Sequence, residues 1–242
     1  MPDPIMGRLK WDQYGEHFFE NGISQGVLFP ADPSVTTGPS AGWGRGVAWN
    51  GLRTVSETPE GADENAFYAD NAKYLSLRAV ETYGGTIGAY TYPDEWMACD
   101  GSAQPSAGVT LGQQTRKPFC FAYKTQLGND VQGSDYGYIL HIVYNATASP
   151  SSREYQTINE SPEPIEFSWE FKTTPLQVTG YKPVSLITIN SKKIPAGSAA
   201  ALKQLEDALF GVDADSTASP AIEGSYPRIV LPAEILTLFP AG

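Results

Sequence analysis

Gly22-Ile23-Ser24-Gln25-Gly26 has the spacing of a nucleophile elbow, the sharp strand-to-helix turn that exposes a serine hydroxyl to a general base. Only His17 and His141 could serve as that base. The residues after Gly26 read as a strand rather than a helix, and His141 sits between Ile139 and Val143 in an apolar run, so no hydrolase triad is assembled and the segment reads as a turn. Glu166 and Glu170 fall on one face of an alternating segment, and paired carboxylates are the machinery of glycoside hydrolysis. Four strand residues at about 3.3 Å each put about 13 Å between them. That chemistry needs about 5 to 9.5 Å, so the pair reads as a solvated charged stripe. Asn129, Asp130 and Asp135 could face a calcium ion, but the spacing lacks the glycine and terminal glutamate of a calcium loop, and turn chemistry explains them. Gly42-Trp43-Gly44-Arg45-Gly46 is not a dinucleotide fingerprint and leads into a strand, leaving no helix N-terminus for a phosphate. The two histidines and two cysteines have no zinc spacing. The sequons at Asn145 and Asn159 carry meaning only for a secreted chain. No catalytic, cofactor-binding or metal-ligating residue is therefore assigned, and the chain reads as a non-enzyme without a cofactor.

The elements that would carry such residues are mostly strands. The 242 residues include 24 Gly and 19 Pro, too much punctuation for a helical bundle, together with 13 Tyr, 10 Phe and 5 Trp, which suit pleated surfaces. Hydrophobic residues make up 41% and charged residues 18%, which excludes intrinsic disorder and coiled coil. Alternation or apolar runs predict strands over residues 47–50, 52–57, 73–80, 86–92, 117–127, 136–145, 165–173, 184–190 and 228–231. The 117–127 and 136–145 strands read as a hairpin across a loop rich in turn residues. One helix is expected over residues 198–210, with Ser198 as N-cap, Leu202, Leu205 and Leu209 on one stripe, and Gly211 to end it. Residues 1–25 read as an extended arm, 31–45 as a long loop, 26–211 as the β domain and 212–242 as a C-terminal extension.

Residues 27 acidic and 16 basic give a net charge of −11, which repels nucleic acid and anionic lipid from the average surface. The longest apolar stretch, around residues 138–144, is far short of the roughly 20 residues of a spanning helix, and no membrane partner is expected. The first eight residues have no apolar core of a secretory signal, so cytosolic synthesis is expected. Cys99 and Cys120, without repeating spacing, read as free thiols.

Several short motifs recur together in one order. They are Gly46-Val47-Ala48-Trp49-Asn50-Gly51-Leu52, Tyr68-Ala69-Asp70-Asn71-Ala72-Lys73-Tyr74-Leu75, Tyr90-Thr91-Tyr92-Pro93-Asp94-Glu95-Trp96, Cys99-Asp100-Gly101 and Gly112-Gln113-Gln114-Thr115-Arg116-Lys117-Pro118-Phe119. Leu127-Gly128-Asn129-Asp130, Asp135-Tyr136-Gly137-Tyr138, Asn145-Ala146-Thr147-Ala148-Ser149-Pro150 and Phe167-Ser168-Trp169-Glu170 complete the set. With these motifs the chain resembles the major tail protein, or tail tube protein, family of long-tailed non-contractile (siphovirus-type) bacteriophages. The resemblance covers about residues 7 to 190. The 31–45 loop and the 213–226 stretch depart from the pattern.

The resemblance implies a mainly β fold, a β-sandwich or half-barrel with one flanking helix, six copies of which close into a ring around a continuous inner β-barrel. It implies a structural virion protein whose stacked homohexameric rings form the conduit for genome ejection. The implied partners are a tape measure protein in the lumen, tail terminator and distal tail proteins at the tube ends, and DNA that passes without specific binding. Ring closure would also remove the exposed edges that long amphipathic strands leave. On that reading the polar faces bearing Glu166 and Glu170, or Lys73 and Arg78, decide the lumen charge. The competing expectation is a carbohydrate-binding or carbohydrate-active β-sandwich with Tyr90, Tyr92 and Trp96 as a sugar platform.

Overall fold

The computed structural model describes residues 10–61, 64–78, 81–158, 160, 163–218 and 222–240. The expectations that fell on Met1 to Arg8, Ala79, Val80 and Asn159 lie outside them. The protein is mainly β, a large antiparallel sheet with a few helices. Strands β1 (Phe18–Pro30), β2 (Val47–Trp49), β3 (Leu52–Glu57), β4 (Glu64–Ala69), β5 (Ala72–Arg78) and β6 (Gly84–Ala89) come first. Helix α1 (Trp96–Asp100) leads into β7 (Ala103–Ser106) and β8 (Val109–Leu111), then the long strands β9 (Phe119–Asn129) and β10 (Gly133–Ala148). After β11 (Phe167–Thr173) and β12 (Leu186–Asn190) come α2 (Ala199–Phe210) and α3 (Pro232–Leu238).

The main sheet runs β2-β1-β9-β10-β11-β6-β3, with β12 also paired to β10. β10 makes this branch possible. Its Ile139–Val143 stretch pairs with β9 on one edge and β12 on the other, whereas Ala146–Ala148 pairs with β11. The switch falls at Asn145, which has φ 48° beside a register shift between Val143 and Ala146, the geometry of a bulge that bends a strand. Asn145 is held there by its backbone N–H, which donates to Cys120 Sγ at 3.4 Å, and by its Nδ2, which donates to the Thr174 carbonyl at 3.1 Å. One strand thus serves both halves of a folded-over sheet.

Alternation along β9 divides the core in two. Phe119, Phe121 and Tyr123 point into a cluster with Leu28, Trp49, Ile87, Trp96, Val143, Trp169 and Phe171, enclosed between the β1–β9–β10 half and the β11–β6–β3 half. Trp49 packs on Trp96 at 4.7 Å and on Trp169 at 5.7 Å between ring centroids, tilted pairings that rings prefer to a face-on sandwich. Cys120 and Ala122 point the other way, with Leu140, Ile142 and Tyr144, against Leu205 and Leu209 of α2 and against Ile229, Val230 and Ile235. The central strands are therefore buried on both faces over residues 119–123 and 140–144, which is why the 136–145 segment reads as a near-continuous apolar run.

Several expectations need correction. Residues 18–25 are not part of an arm: they form the first half of β1, paired with β9 from Phe18 opposite Asn129 onward. Gly22 to Gly26 is not a turn but an irregular stretch of that strand, with φ 62° at Gly22 and φ 52° at Gln25 beside two register shifts. More than one helix is present. α1 and α3 were not expected, α2 and α3 both cover one face of the sheet, and residues 228–231 are an extended lead into α3 rather than a strand. Pro232 at the first turn of α3 fixes the helical φ where an N–H would be unpaired anyway, and Glu234 completes an acidic first turn. α2 does begin after Ser198 and end at Gly211, but the Ser198 hydroxyl makes no capping bond, and a 3-10 turn over Ala196–Ser198 leads in instead. The second half of the 212–242 segment is integral to the core, since Ile229 and Val230 are fully buried and the Tyr144 hydroxyl donates to the Val230 carbonyl at 2.8 Å.

Candidate functional site

The polar groups offered by the sequence do not converge. Ser24 lies in β1, paired with Lys124 of β9, and the chain continues after it as strand rather than helix. His17 is bonded through Nδ1 to Asp130 at 3.0 Å, and the Gly15 N–H donates to the same carboxylate at 3.0 Å, so Asp130 ties residues 15–17 to the β9–β10 turn. These contacts hold the Asp130 carboxyl below the ordinary carboxylate range and raise His17 above 6.5. Asn129 Oδ1 accepts the N–H groups of Val131 and Gln132, the turn chemistry expected of it. Among the described residues no group of three or more His, Cys, Asp or Glu is arranged to hold a metal ion. Cys99 and Cys120 are free and buried, and burial pushes the Cys99 thiol up to about 12 and Cys120 higher still.

The sugar platform is also dispersed. Trp96 is fully buried among Trp49, Phe119 and Trp169, and Tyr92 stands edge-on to Phe167 and Trp169, leaving only Tyr90 of the three well exposed.

What the fold presents instead is surface. β4 and β5 form a two-stranded sheet of their own, every residue of which is exposed. Its turn is Asp70-Asn71, both at positive φ (52° and 62°), the primed two-residue turn that asparagine and aspartate favour. The register puts Asn65 opposite Leu77 and Phe67 opposite Leu75 on one face, with Glu64 opposite Arg78 and Ala66 opposite Ser76 on the other. A bulge follows Phe67, and beyond it Tyr68 and Tyr74 stand about three-quarters exposed. Lys73 pairs with Glu64. The hairpin is thus amphipathic, with Phe67, Leu75 and Leu77 exposed together on one face. A second exposed hairpin, β7–β8, carries Val109 and Leu111.

A third surface is the outer face of β11, β6 and β3. Ser168, Glu170 and Lys172 alternate with the buried Trp169, Phe171 and Thr173, as expected of this strand. Glu170 stands opposite Thr86, which stands opposite Ser56, a polar row across three strands. Glu166 pairs with Arg53, and Lys172 with Glu60 at 2.9 Å.

The remaining polar cluster caps the aromatic core where β1 passes β3 without exchanging ladder bonds. His141 of β10 stacks flat on Tyr123 of β9, ring centroids 4.6 Å apart. Its Nε2 lies 2.9 Å from Thr125 Oγ1 and 3.5 Å from Glu20 Oε1, and its Nδ1 lies 3.7 Å from Glu57 Oε1, which accepts the Tyr123 hydroxyl at 3.0 Å. The open side of this cluster is a cleft of about 400 Å³ lined also by Ile23, Arg53 and Val55. Sequence reading placed His141 in a buried strand but missed its partners, because Glu20 and Glu57 are 121 and 84 positions away and no short motif links them.

No family model matches the chain, and no curated protein matches it. Among solved structures, a chain from the cryo-EM structure of an extracellular contractile injection system, the PVC sheath-tube complex in its extended state, is similar at 12% identity. The likeness covers 69% of this chain and 88% of that chain with a TM-score of 0.28, too slight to bear on function.

Proposed function

We propose that the chain is a structural subunit of a bacteriophage tail tube, a non-enzymatic virion protein that assembles with copies of itself into stacked hexameric rings through which the genome leaves. The observation that carries this reading is the β4–β5 hairpin. A free two-stranded hairpin is marginal in water. One that leaves Phe67, Leu75 and Leu77 together on an uncovered face calls for a partner surface. Self-assembly supplies one to every copy, and a closed ring also pairs sheet edges that a monomer leaves open. The motifs from Gly46 to Glu170 that resemble the tail tube family point the same way.

In this reading the outer face of β11, β6 and β3 is the candidate channel lining. Its carboxylates Glu60, Glu166 and Glu170 outnumber Arg53 and Lys172, which suits passage of DNA without capture. A tape measure protein would fill the lumen during assembly, with terminator and distal tail proteins at the ends. Sedimentation velocity over a rising concentration series tests the proposal. Open-ended growth to large species is expected, and a single discrete small species at every concentration overturns it.

A further inference from the structure

Two exposed patches sit at opposite ends of the long strands and differ in charge. At the β9–β10 turn, Asn129 and Asp130 hold the segment that precedes β1. Asn129 Nδ2 donates to the Gly15 carbonyl at 3.1 Å, and the Asp130 carboxylate accepts the Gly15 N–H and meets His17 Nδ1, both at 3.0 Å. The segment so held presents Trp11, Tyr14 and Phe18, which are 69%, 83% and 56% exposed. Asp12 and Glu16, set between these aromatics in the chain, are exposed as well, and neither forms an ion pair among the described residues. Lys10 is the one lysine or arginine of residues 10–20, against Asp12, Glu16 and Glu20.

The other end of β9 carries the complement. The strand runs from Phe119 to Asn129, and at about 3.3 Å per residue its two ends lie about 33 Å apart. Just before Phe119, the Lys117 N–H donates to the Ala98 carbonyl and the Gln114 N–H to the Gly101 carbonyl, which roots the β7–β8 hairpin at this end beside α1. Every residue of β7 and β8 is exposed, Val109 and Leu111 about half. Residues 101–117 hold no acid and two bases, Arg116 and Lys117, in a chain of net charge −11. Neither base forms an ion pair among the described residues, and Arg116 Nε is buried without a hydrogen-bond partner. Asp100 is taken by Arg153, and the Asp32 carboxylate, within electrostatic reach of Lys117, bonds Ser34 instead. A partly buried guanidinium without a carboxylate is costly, and a carboxylate from outside the subunit would satisfy it.

We infer that the acidic, aromatic end at residues 11–18 of one copy seats on the β7–β8 hairpin and the Arg116–Lys117 pair of the next copy, so that copies join end to end along the strand direction. The inference rests on the assembly reading and adds the contact between rings to it. A stack of closed rings needs one contact within a ring and another between rings, and a head-to-tail contact joins two different patches of each copy. Opposite ends of β9 meet that condition, since every copy offers one patch and receives the other. Asp12 and Glu16 give the guanidinium and the ammonium their missing partners, Trp11 and Tyr14 give Arg116 a ring face to stack on, and Val109 and Leu111 cover apolar area. Two like ends repel, so the stack has a single polarity.

Charge reversal in the full chain tests the contact, read by light scattering as the critical concentration for polymer growth at low salt, where exposed charges are least screened. Asp12→Lys with Glu16→Lys, or Arg116→Glu with Lys117→Glu, turns attraction into repulsion and should raise that concentration about tenfold or more. The fourfold variant, with both ends reversed, should return to within about threefold of the parent. Either double variant polymerising like the parent, or a fourfold variant as poor as the doubles, overturns the inference and leaves the tube reading standing. A parent that never polymerises overturns the tube reading instead. In that case, or should a variant fail to fold, zero-length carbodiimide coupling in a concentrated mixture of isotope-labelled and unlabelled parent chains decides the end contact. An interchain amide from Lys117 Nζ to Asp12 or Glu16 is expected, and its absence overturns the inference.

Discussion

Removing the apolar face of the β4–β5 hairpin should abolish assembly while sparing the fold. Phe67, Leu75 and Leu77 are 51%, 40% and 58% exposed in the subunit, so about half of each side chain remains to be buried by a neighbour. Complete burial of such a residue is worth about 2 kcal/mol, so the three together offer about 3 kcal/mol per contact. That corresponds to a factor of about 150 in subunit affinity, read directly as the critical concentration of an open-ended polymer. Threonine at all three positions keeps strand propensity and discards most of that area. Within the subunit the changes give up little beyond the Phe67–Leu75 cross-strand pair, about 0.2 to 1 kcal/mol. The triple variant should therefore melt within a few degrees of the parent and polymerise only at about hundredfold higher concentration by light scattering. A variant that keeps its Tm and assembles like the parent would refute the role given to this face.

Three further outcomes follow from the same contacts. Tyr144→Phe removes a fully buried hydroxyl bonded to the Val230 carbonyl and should cost about 1 to 3 kcal/mol, because an acceptor is left unpaired; chemical denaturation measures it, and amide exchange should locate the loosening in residues 228–238. Cys99 and Cys120 should resist a thiol reagent in the folded protein at neutral pH and react together on unfolding, since both are buried and Cys99 is pushed up to about 12; rapid labelling of the native state would contradict this. His17 should titrate above 6.5 and return toward 6.5 in Asp130→Asn. The raised value means that the His17–Asp130 tie helps below pH 6.5 and is lost as pH rises through the folded value, so tethering of residues 15–17 by NMR should weaken toward alkaline pH.

Much of the β architecture is legible from local pattern. Ile165 to Thr173 alternates cleanly because its strand has one wet face, and the near-continuous apolar run at 136–145 announces a strand covered on both faces. The failures have local causes. Trp96 to Asp100 spans little more than one turn, too short for a 3.6-residue period to register. The 232–238 helix was hidden because Ile229 to Leu231 and Ile235 to Phe239 are both apolar and short, a pattern that fits strand or helix alike. β1 was cut short because its bulged Gly22 to Gly26 segment carries the residues of a turn, and only pairing with β9 shows it to be strand. β4 escapes sequence reading for a different reason: Glu64-Asn65-Ala66-Phe67 alternates weakly, and every residue of the strand is exposed, so no buried face imposes a pattern.

The candidate surfaces were half legible. The stripe of Glu166 and Glu170 on the wet side of β11 follows from alternation alone, and Leu75 and Leu77 sort onto one face of β5 with Ser76 and Arg78 on the other, as that alternation predicts. Tyr92 and Trp96 were offered as surface aromatics, yet aromatic residues near a Pro-Asp turn serve here to close the core, and composition does not separate the two uses. The His141 cluster is invisible before folding because it joins four strands through side chains far apart in the chain.

Electron microscopy of the purified chain at rising concentration tests the central claim most directly. Rings with a central hole, stacking into hollow tubes of open-ended length, are the predicted result. Particles that remain the size of one subunit at every concentration, with the fold intact and β4–β5 still exposed to exchange, would contradict the assignment as a tube subunit.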